Sequence, residues 1–327
     1  VKSVLQYPKT KTVPVVDEQF GKKVADPYRW LEDDVRTSED VANWVAEQKK
    51  VADGYLDSLP GKDALAAKMK ALFNYERYSL PEKAGGHYFF TKNDGLQNQS
   101  VLYARKGLKG KDRILIDPNS WAKDGATALD SWVASKNGKL LAYAIQDGGS
   151  DWRTIRVLDV KTGKSLSDEI KWAKFTNIAW IGNEGFLYSR FAAPQEGAAF
   201  QQLNYNQTVY FHRIGTAQSA DEVVYATPDR KELGHSAQVT QDGRWVVLTS
   251  AEGTDEKYEL NVIPLAGQDL GYRVLSANVL GSKKLRRQPA QAKTATYNWQ
   301  SYSLIEKLEH DWQLVEGIDD SLYFVTN

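Results

Sequence analysis

The 327-residue sequence contains no cysteine, so disulfides, thiolate nucleophiles and cysteine-held zinc are excluded at once. That absence suits an exported protein as well as an internal one, and it leaves the compartment, periplasmic or cytoplasmic, unknown. Charge of one sign is missing as well, because 42 Lys and Arg face 42 Asp and Glu. No global field draws the chain to a polyanion, and neither nucleic acid nor membrane is an expected partner. No window approaches the roughly 18 uninterrupted apolar residues needed to cross a bilayer, and the opening VKSVLQYP is too short for a secretory apolar region. Val1 in place of Met indicates a processed or trimmed start. The four histidines, His87, His212, His235 and His310, stand singly without HExxH or HxH spacing, so no metal is expected. Neither GxxxxGK[ST] nor GxGxxG occurs, which leaves nucleotide phosphate without a cradle; no cofactor is expected.

What is present is material for a large core: 42% hydrophobic and 11% aromatic residues, enough to fill two domains. From Pro27 to about Tyr75 the apolar spacing is helical. Asp26 can cap a short helix with Pro27 in its first position. Thr37 or Ser38 can cap a longer one, on which Val41, Trp44, Val45, Val51, Tyr55, Leu56 and Leu59 recur at three- and four-residue steps; Pro60 and Gly61 end it. Ala64, Leu65, Met69, Leu72 and Phe73 carry a third stripe. After Tyr78 the period becomes two. HYFFT, SVLYAR, RILI, LLAYAI, TIRVLDV, GFLYSR, TVYFHRI, EVVYA, WVVLTS, YELNVI and SLYFVT all read as strands, with hairpin turns between them at Asn93-Asp94-Gly95, Asn137-Gly138, Thr162-Gly163 and Asp242-Gly243.

A loose repeat underlies those strands. A glycine turn followed by an apolar run recurs as NGKLLAYA from Asn137, NEGFLYS from Asn183 and DGRWVVLTS from Asp242, with AGGHYFFT before and DDSLYFVT after. Gly86 to Gly138 is 52 residues, Gly138 to Gly185 is 47 and Gly185 to Gly243 is 58, near the length of a four-stranded propeller blade. A β-propeller therefore ranks above a sandwich. The step from Gly243 to Gly317, 74 residues, breaks the rhythm. Its excess lies in a stretch from Leu270 to Ile305 that has no acid and carries Arg273, Lys283, Lys284, Arg286, Arg287 and Lys293. Either this is a basic loop for an anionic ligand, or it is a solvated insertion or reading-frame artefact; the second reading is preferred.

The search for chemistry meets mainly decoys. Gly234-His235-Ser236-Ala237-Gln238 begins like a nucleophile elbow but lacks the final glycine, and strand and turn follow it where a helix is required. Ser150 in GGSDW fails on the same grounds. Carboxylates abound, yet spacing alone places no pair of them across a scissile bond.

Ala25-Asp26-Pro27-Tyr28-Arg29-Trp30-Leu31-Glu32-Asp33, with LIDPNSWAKDG, GSDW, KFTNIAW, VYFHRIGT and AEGTDEKY further on, resembles the amino-terminal portion of the prolyl oligopeptidases, serine peptidases that cleave short peptides after proline. The resemblance runs from about Tyr7 to Gly267 and resumes at His310; between about Gln268 and Gln300 the pattern is lost. It implies a mainly β fold: residues 1–76 form a helical segment that belongs to an α/β-hydrolase peptidase domain, and 77–327 form part of a seven-bladed propeller, with 268–300 an atypical basic insertion. The family's Ser, Asp and His would all lie beyond Asn327, so this chain holds no catalytic residue and is expected to be inactive alone. Phe175 in KFTNIAW and Thr254 in AEGTDEKY match places where the family's propeller lines the substrate pocket. Implied partners are short proline-containing peptides and the missing hydrolase domain, with the full-length protein a monomer. The stripes of Trp30, Trp44, Val45, Leu56 and Phe73 would pack on that absent domain and so stand exposed here. About 250 residues at about 50 per blade allow at most five blades, with open sheet edges. The alternatives are a stand-alone propeller binding module and a related oligopeptidase that cuts after basic residues.

Overall fold

A computed structural model describes residues 5–123, 125–195, 199, 202–265, 297–318 and 321–327. The chain divides into two compact units, one of Val1–Tyr75 with Gln195–Phe200, the other of Glu76–Pro194 and Gln201–Asn327.

In the first unit the periodicity reading holds for two helices. Helix α1 (Glu39–Asp57) starts at Ser38, whose hydroxyl accepts from the Val41 amide at 3.4 Å. Helix α2 (Lys62–Phe73) follows directly, with Gly61 at φ +83° as the left-handed joint between the two. The ADPYRWLED segment departs from expectation. No helix capped by Asp26 forms there; the chain makes a 3-10 turn at Arg29–Glu32 without a side-chain cap. The Asp26 carboxylate is taken instead by the Arg29 side chain at 2.6 Å, and Arg29 also pairs with Asp17. Asp17 lies in a hairpin that periodicity does not reveal, Val16–Gln19 against Lys22–Ala25, turned at Phe20 and Gly21 with φ +53° and +73°. Trp30 Nε1 donates to the Lys11 carbonyl at 2.9 Å and Trp44 Nε1 to the Thr10 hydroxyl at 3.1 Å, so both indoles are half-buried against the amino-terminal segment rather than bare. The remaining stripe is exposed as expected. Val41 is the only residue of α1 that is buried and α2 has none, while Leu65, Met69, Leu72 and Phe73 are all more than half exposed.

The second unit is built of antiparallel four-stranded blades. The first comprises Glu82–Ala84, His87–Asn93, Val101–Lys106 and Asp112–Ile116, with Arg77–Tyr78 as an added pair; the second Ala128–Ala134, Leu140–Gln146, Trp152–Asp159 and Ser165–Lys174. The third comprises Ala179–Ile181, Gly185–Arg190, Thr208–Arg213 and Glu222–Tyr225; the fourth Leu233–Val239, Trp245–Glu252, Glu259–Pro264 and Tyr302–Ile305. A last pair, Trp312–Ile318 with Ser321–Thr326, forms half of a fifth. The second and third blades share a hydrogen-bonded edge only at Ala173 and Arg190. The expected upper limit of five blades thus becomes four complete blades and one half among the described residues. Most of the basic stretch expected at 268–300 lies outside those residues; where description resumes, Tyr297 and Trp299 pack on Phe211 of the third blade.

Side-chain alternation sets how blades stack. In the strand Leu140–Gln146, Leu141 and Tyr143 join Phe89, Leu102 and Leu115 of the first blade, while Ala142 and Ala144 join Trp180, Phe186 and Tyr188 of the third. The same division recurs in the fourth blade: Val246 and Leu248 meet Leu187 and Phe211, and Trp245 and Val247 meet Trp312, Leu314 and Phe324. Each described core is therefore a seam between neighbouring blades. Near-continuous apolar runs in the second strands follow from this, because both of their faces are covered.

The repeated glycine turns have a steric cause. Gly85 and Gly138 sit at φ +54° and +67°, and a Cβ on either would fall on backbone of the other's turn, on the Asn137 carbonyl or the Ala84 carbonyl. Asn137 N further donates to the Asn183 side chain at 2.8 Å, and Gln241 N to Glu316 at 2.9 Å. The turns between first and second strands of successive blades thus cluster at one end of the blades. The last repeat turn, at residues 319–320, lies outside the described residues.

Candidate functional site

At the opposite end, where first strands begin and second strands finish, a cavity of about 770 Å³ opens between the third blade, the fourth and the half-blade. Phe175, Phe191, Gln207, His235, Thr254 and Trp312 are among its walls. Both residues singled out from the sequence, Phe175 and Thr254, line this one space. Thr254 follows Gly253, which at φ +58° turns the chain away from the strand Trp245–Glu252, and it is exposed.

Phe175 is built in a costly way. Its φ is +50°, in the left-handed region that a bulky side chain avoids, and its ring is 59% exposed. An exposed aromatic and a strained backbone each act against stability, the strain by roughly 1 to 3 kcal/mol. Surrounding groups hold the conformation in place. Gln207, itself 2% exposed, donates from Nε2 to the Lys174 carbonyl at 2.8 Å and to the Phe175 carbonyl at 3.1 Å. Its Oε1 accepts from the His235 amide at 2.6 Å, tying the turn to the fourth blade. The Lys174 ammonium lies 4.8 Å from the Trp152 ring centre and 5.2 Å from that of Phe175, bracing the ring from behind. The Thr176 hydroxyl accepts from Ser189 N at 2.7 Å, and Asn177 Nδ2 donates to the Ala237 carbonyl at 2.6 Å. The polar letters of KFTNIAW therefore fasten a turn whose product is one projecting phenyl ring.

Neither serine singled out from the sequence stands in a nucleophile elbow. Ser236 stands mid-strand, opposite Thr249 in the register with Trp245–Glu252, not on a strand-to-helix turn. The ring nitrogens of the adjacent His235 are engaged by Ser250 Oγ at 2.8 Å and Thr227 Oγ1 at 3.0 Å, so His235 does not serve that hydroxyl as a base. Burial, with Arg230 nearby, pushes His235 down to about 4, and the ring is neutral at physiological pH. Ser150 Oγ accepts from the Trp152 amide within a tight turn. His212 is fully buried in the third blade between Asp221 at 2.7 Å and Asp168 at 3.0 Å. His87 lies in a strand of the first blade, and His310 packs edge-on to Trp312. Among the described residues no three His, Cys, Asp or Glu gather as metal ligands would.

Periodicity missed Gln207, Lys174, Trp152 and Phe191 as parts of this site. The partial signal was the KFTNIAW string, whose Lys-Phe-Thr-Asn run interrupts an apolar pattern without a glycine to explain the turn. Gln207 lies 32 residues beyond Phe175, and nothing in a linear reading joins them.

The chain is 43% identical over 253 residues to a prolyl endopeptidase of Elizabethkingia meningoseptica, an alignment covering 77% of this chain and 36% of that protein. It is 34% identical over 288 residues to a dual function macrocyclase-peptidase of Galerina marginata, covering 39% of it. Among solved structures, one from a study of two prolyl endopeptidases matches with 45% identity and a TM-score of 0.65, covering 98% of this chain and 42% of the other. Prolyl oligopeptidase B of Galerina marginata, bound to a 35mer hydrolysis and macrocyclization substrate, matches with a TM-score of 0.74 at 28% identity. The chain thus spans well under half the length of these relatives. Residues 7–327 match the family model of the prolyl oligopeptidase N-terminal β-propeller domain, and the chain belongs to that family.

Proposed function

We propose that this chain is the propeller part of a serine-type prolyl oligopeptidase that hydrolyses short peptides on the carboxyl side of proline. Its own share of the work is to bind and to exclude. Phe175 offers an apolar wall to a residue preceding the scissile proline, and Thr254 lines the same cavity from the fourth blade. The nucleophile, its base and the oxyanion donors belong to the peptidase portion that the relatives carry beyond the stretch they share with this chain. The propeller admits short peptides and keeps folded chains out. The single observation that carries this reading is the exposed ring of Phe175, held in a strained turn over a cavity by buried hydrogen bonds. The exposed face of helix α2 supports the partner assignment, since Leu65, Met69, Leu72 and Phe73 present the apolar surface that a peptidase domain would cover.

The test is an assay of the chain alone and of the full-length protein against a chromogenic Gly-Pro substrate and an Arg-terminated one. Turnover of the Gly-Pro substrate by the full-length protein alone is the expected result. Preference for the Arg-terminated substrate would transfer the protein to an oligopeptidase that cuts after basic residues. Turnover by the chain alone, lost in Ser236→Ala, would overturn the division of labour.

A further inference from the structure

We infer that Gln207 is a positioning residue that sets peptide affinity by holding the Phe175 backbone in its left-handed turn; the inference rests on the cavity being the peptide-facing one. In an extended strand, successive carbonyls point to opposite sides. The carbonyls of Lys174 and Phe175 nevertheless converge on one amide nitrogen, Gln207 Nε2, at 2.8 and 3.1 Å. They do so because the chain leaves extended geometry at Phe175, where φ is +50° and the chain turns. The turn and the amide thus depend on each other. The other end of the same side chain is fixed too, since Oε1 accepts from His235 N at 2.6 Å, and the strand carrying His235 is locked in register with Trp245–Glu252. Gln207 is 2% exposed, so water has little access to replace what it supplies. Without the amide both carbonyls lose this donor, and a bulky residue has every reason to leave the left-handed region. The chain then relaxes toward extended geometry and the phenyl ring swings off the cavity wall. The effect of Gln207 on peptide affinity passes through Phe175.

The test is a double-mutant cycle in the full-length protein, using chromogenic peptides with one, two and three residues before the proline. Phe175→Ala is expected to raise KM for the longer peptides about tenfold, a difference of about 1.4 kcal/mol, with little change in kcat. Gln207→Met is expected to raise KM in the same length-dependent way, and to add nothing in the Phe175→Ala background. Gln207→Glu keeps the size of the side chain while setting a carboxylate against two carbonyls, and provides the same comparison should Gln207→Met fail to fold. A merely structural role would lower the melting temperature and kcat alike, with or without the Phe175 ring; that outcome overturns the inference. So does a KM for Gln207→Met that matches the parent protein while Phe175→Ala raises it, a result that leaves the cavity assignment standing. A parent protein with no turnover of any proline peptide overturns the proposed function first and this inference with it.

Discussion

Phe175 and the two buried histidines show how single residues are paid for by their surroundings, and the histidines do so with opposite signs. His212 offers both ring nitrogens to carboxylates, Asp221 at 2.7 Å and Asp168 at 3.0 Å, which can only accept. With both carboxylates ionised, both nitrogens donate, so the pair favours the imidazolium over the neutral ring. Burial works against that charge, but Asp221 and then Asp168 outweigh it and raise the pKa. Stability from His212 is fully present below the ordinary histidine value of about 6.5 and is lost as pH rises through the raised one. His235 runs the other way. Its pKa is depressed to about 4, so its contribution is present above about 6.5 and is lost as pH falls toward 4. Urea denaturation across pH should accordingly decline on the alkaline side through His212 and on the acid side in part through His235. The variant His212→Gln should flatten the alkaline limb and lose about 3 kcal/mol at pH 6, since it removes the cation between two buried carboxylates and leaves Asp221 to the Tyr188 hydroxyl and Asp168 to the Gly215 amide. An alkaline limb that is unchanged in His212→Gln would refute the assignment. Ring titration followed by NMR should place His235 near 4; a midpoint at or above the ordinary value would contradict its neutral burial.

At the scale of elements the blade turns carry the sharpest expectation. Gly85 and Gly138 meet backbone to backbone between the first two blades, whereas Gly148, also left-handed at φ +58°, has nothing within reach of an added Cβ. Gly138→Ala should therefore cost about 3 kcal/mol or more, and Gly148→Ala only the conformational cost of about 1 kcal/mol. Chemical denaturation of both variants distinguishes steric approach from backbone conformation; equal losses would mean that the turns do not touch. The repeat was legible as a spacing of glycines because each blade needs this turn at the same place. Strands with apolar runs were legible for a related reason, since each feeds two seams. Ser165–Lys174 and Leu233–Val239 were not read as strands, because about half of their side chains are polar and face partners such as Arg156 and Ser250.

At the scale of the whole molecule, the first unit and the half-blade both present uncovered apolar residues. Leu72 is 65% exposed on α2, and Val315 and Val325 are 61% and 60% exposed on the half-blade. Every complete blade from the second to the fourth has a neighbour on both faces, so among the described residues stacking stops at the first blade on one side and at the half-blade on the other. Under the proposed function the sign of a surface substitution depends on what is present. Leu72→Asp should be neutral or improve solubility in the chain alone, and should destabilise the full-length protein by about 2 kcal/mol, the value of burying a leucine. Light scattering of the chain and thermal denaturation of the full-length protein read the two effects; destabilisation of both by the same amount would mean that Leu72 is part of a core within this chain.

Period and glycine spacing determined by themselves that the chain is helical and then β and ranked a propeller above a sandwich, while the motifs from ADPYRWLED to AEGTDEKY carried the resemblance to the prolyl oligopeptidases. These are properties of residues close together in the chain, or repeated along it, and alternation or spacing records them directly. Tertiary structure alone decided that Asp26 serves Arg29 rather than a helix end, that Trp30 and Trp44 bond the amino-terminal segment at Lys11 and Thr10, and that Gln207 reaches back to the turn at Phe175. Each of these joins residues through side-chain hydrogen bonds whose partners are chosen by which strands and turns come to lie side by side, and that choice is made only when the blades stack.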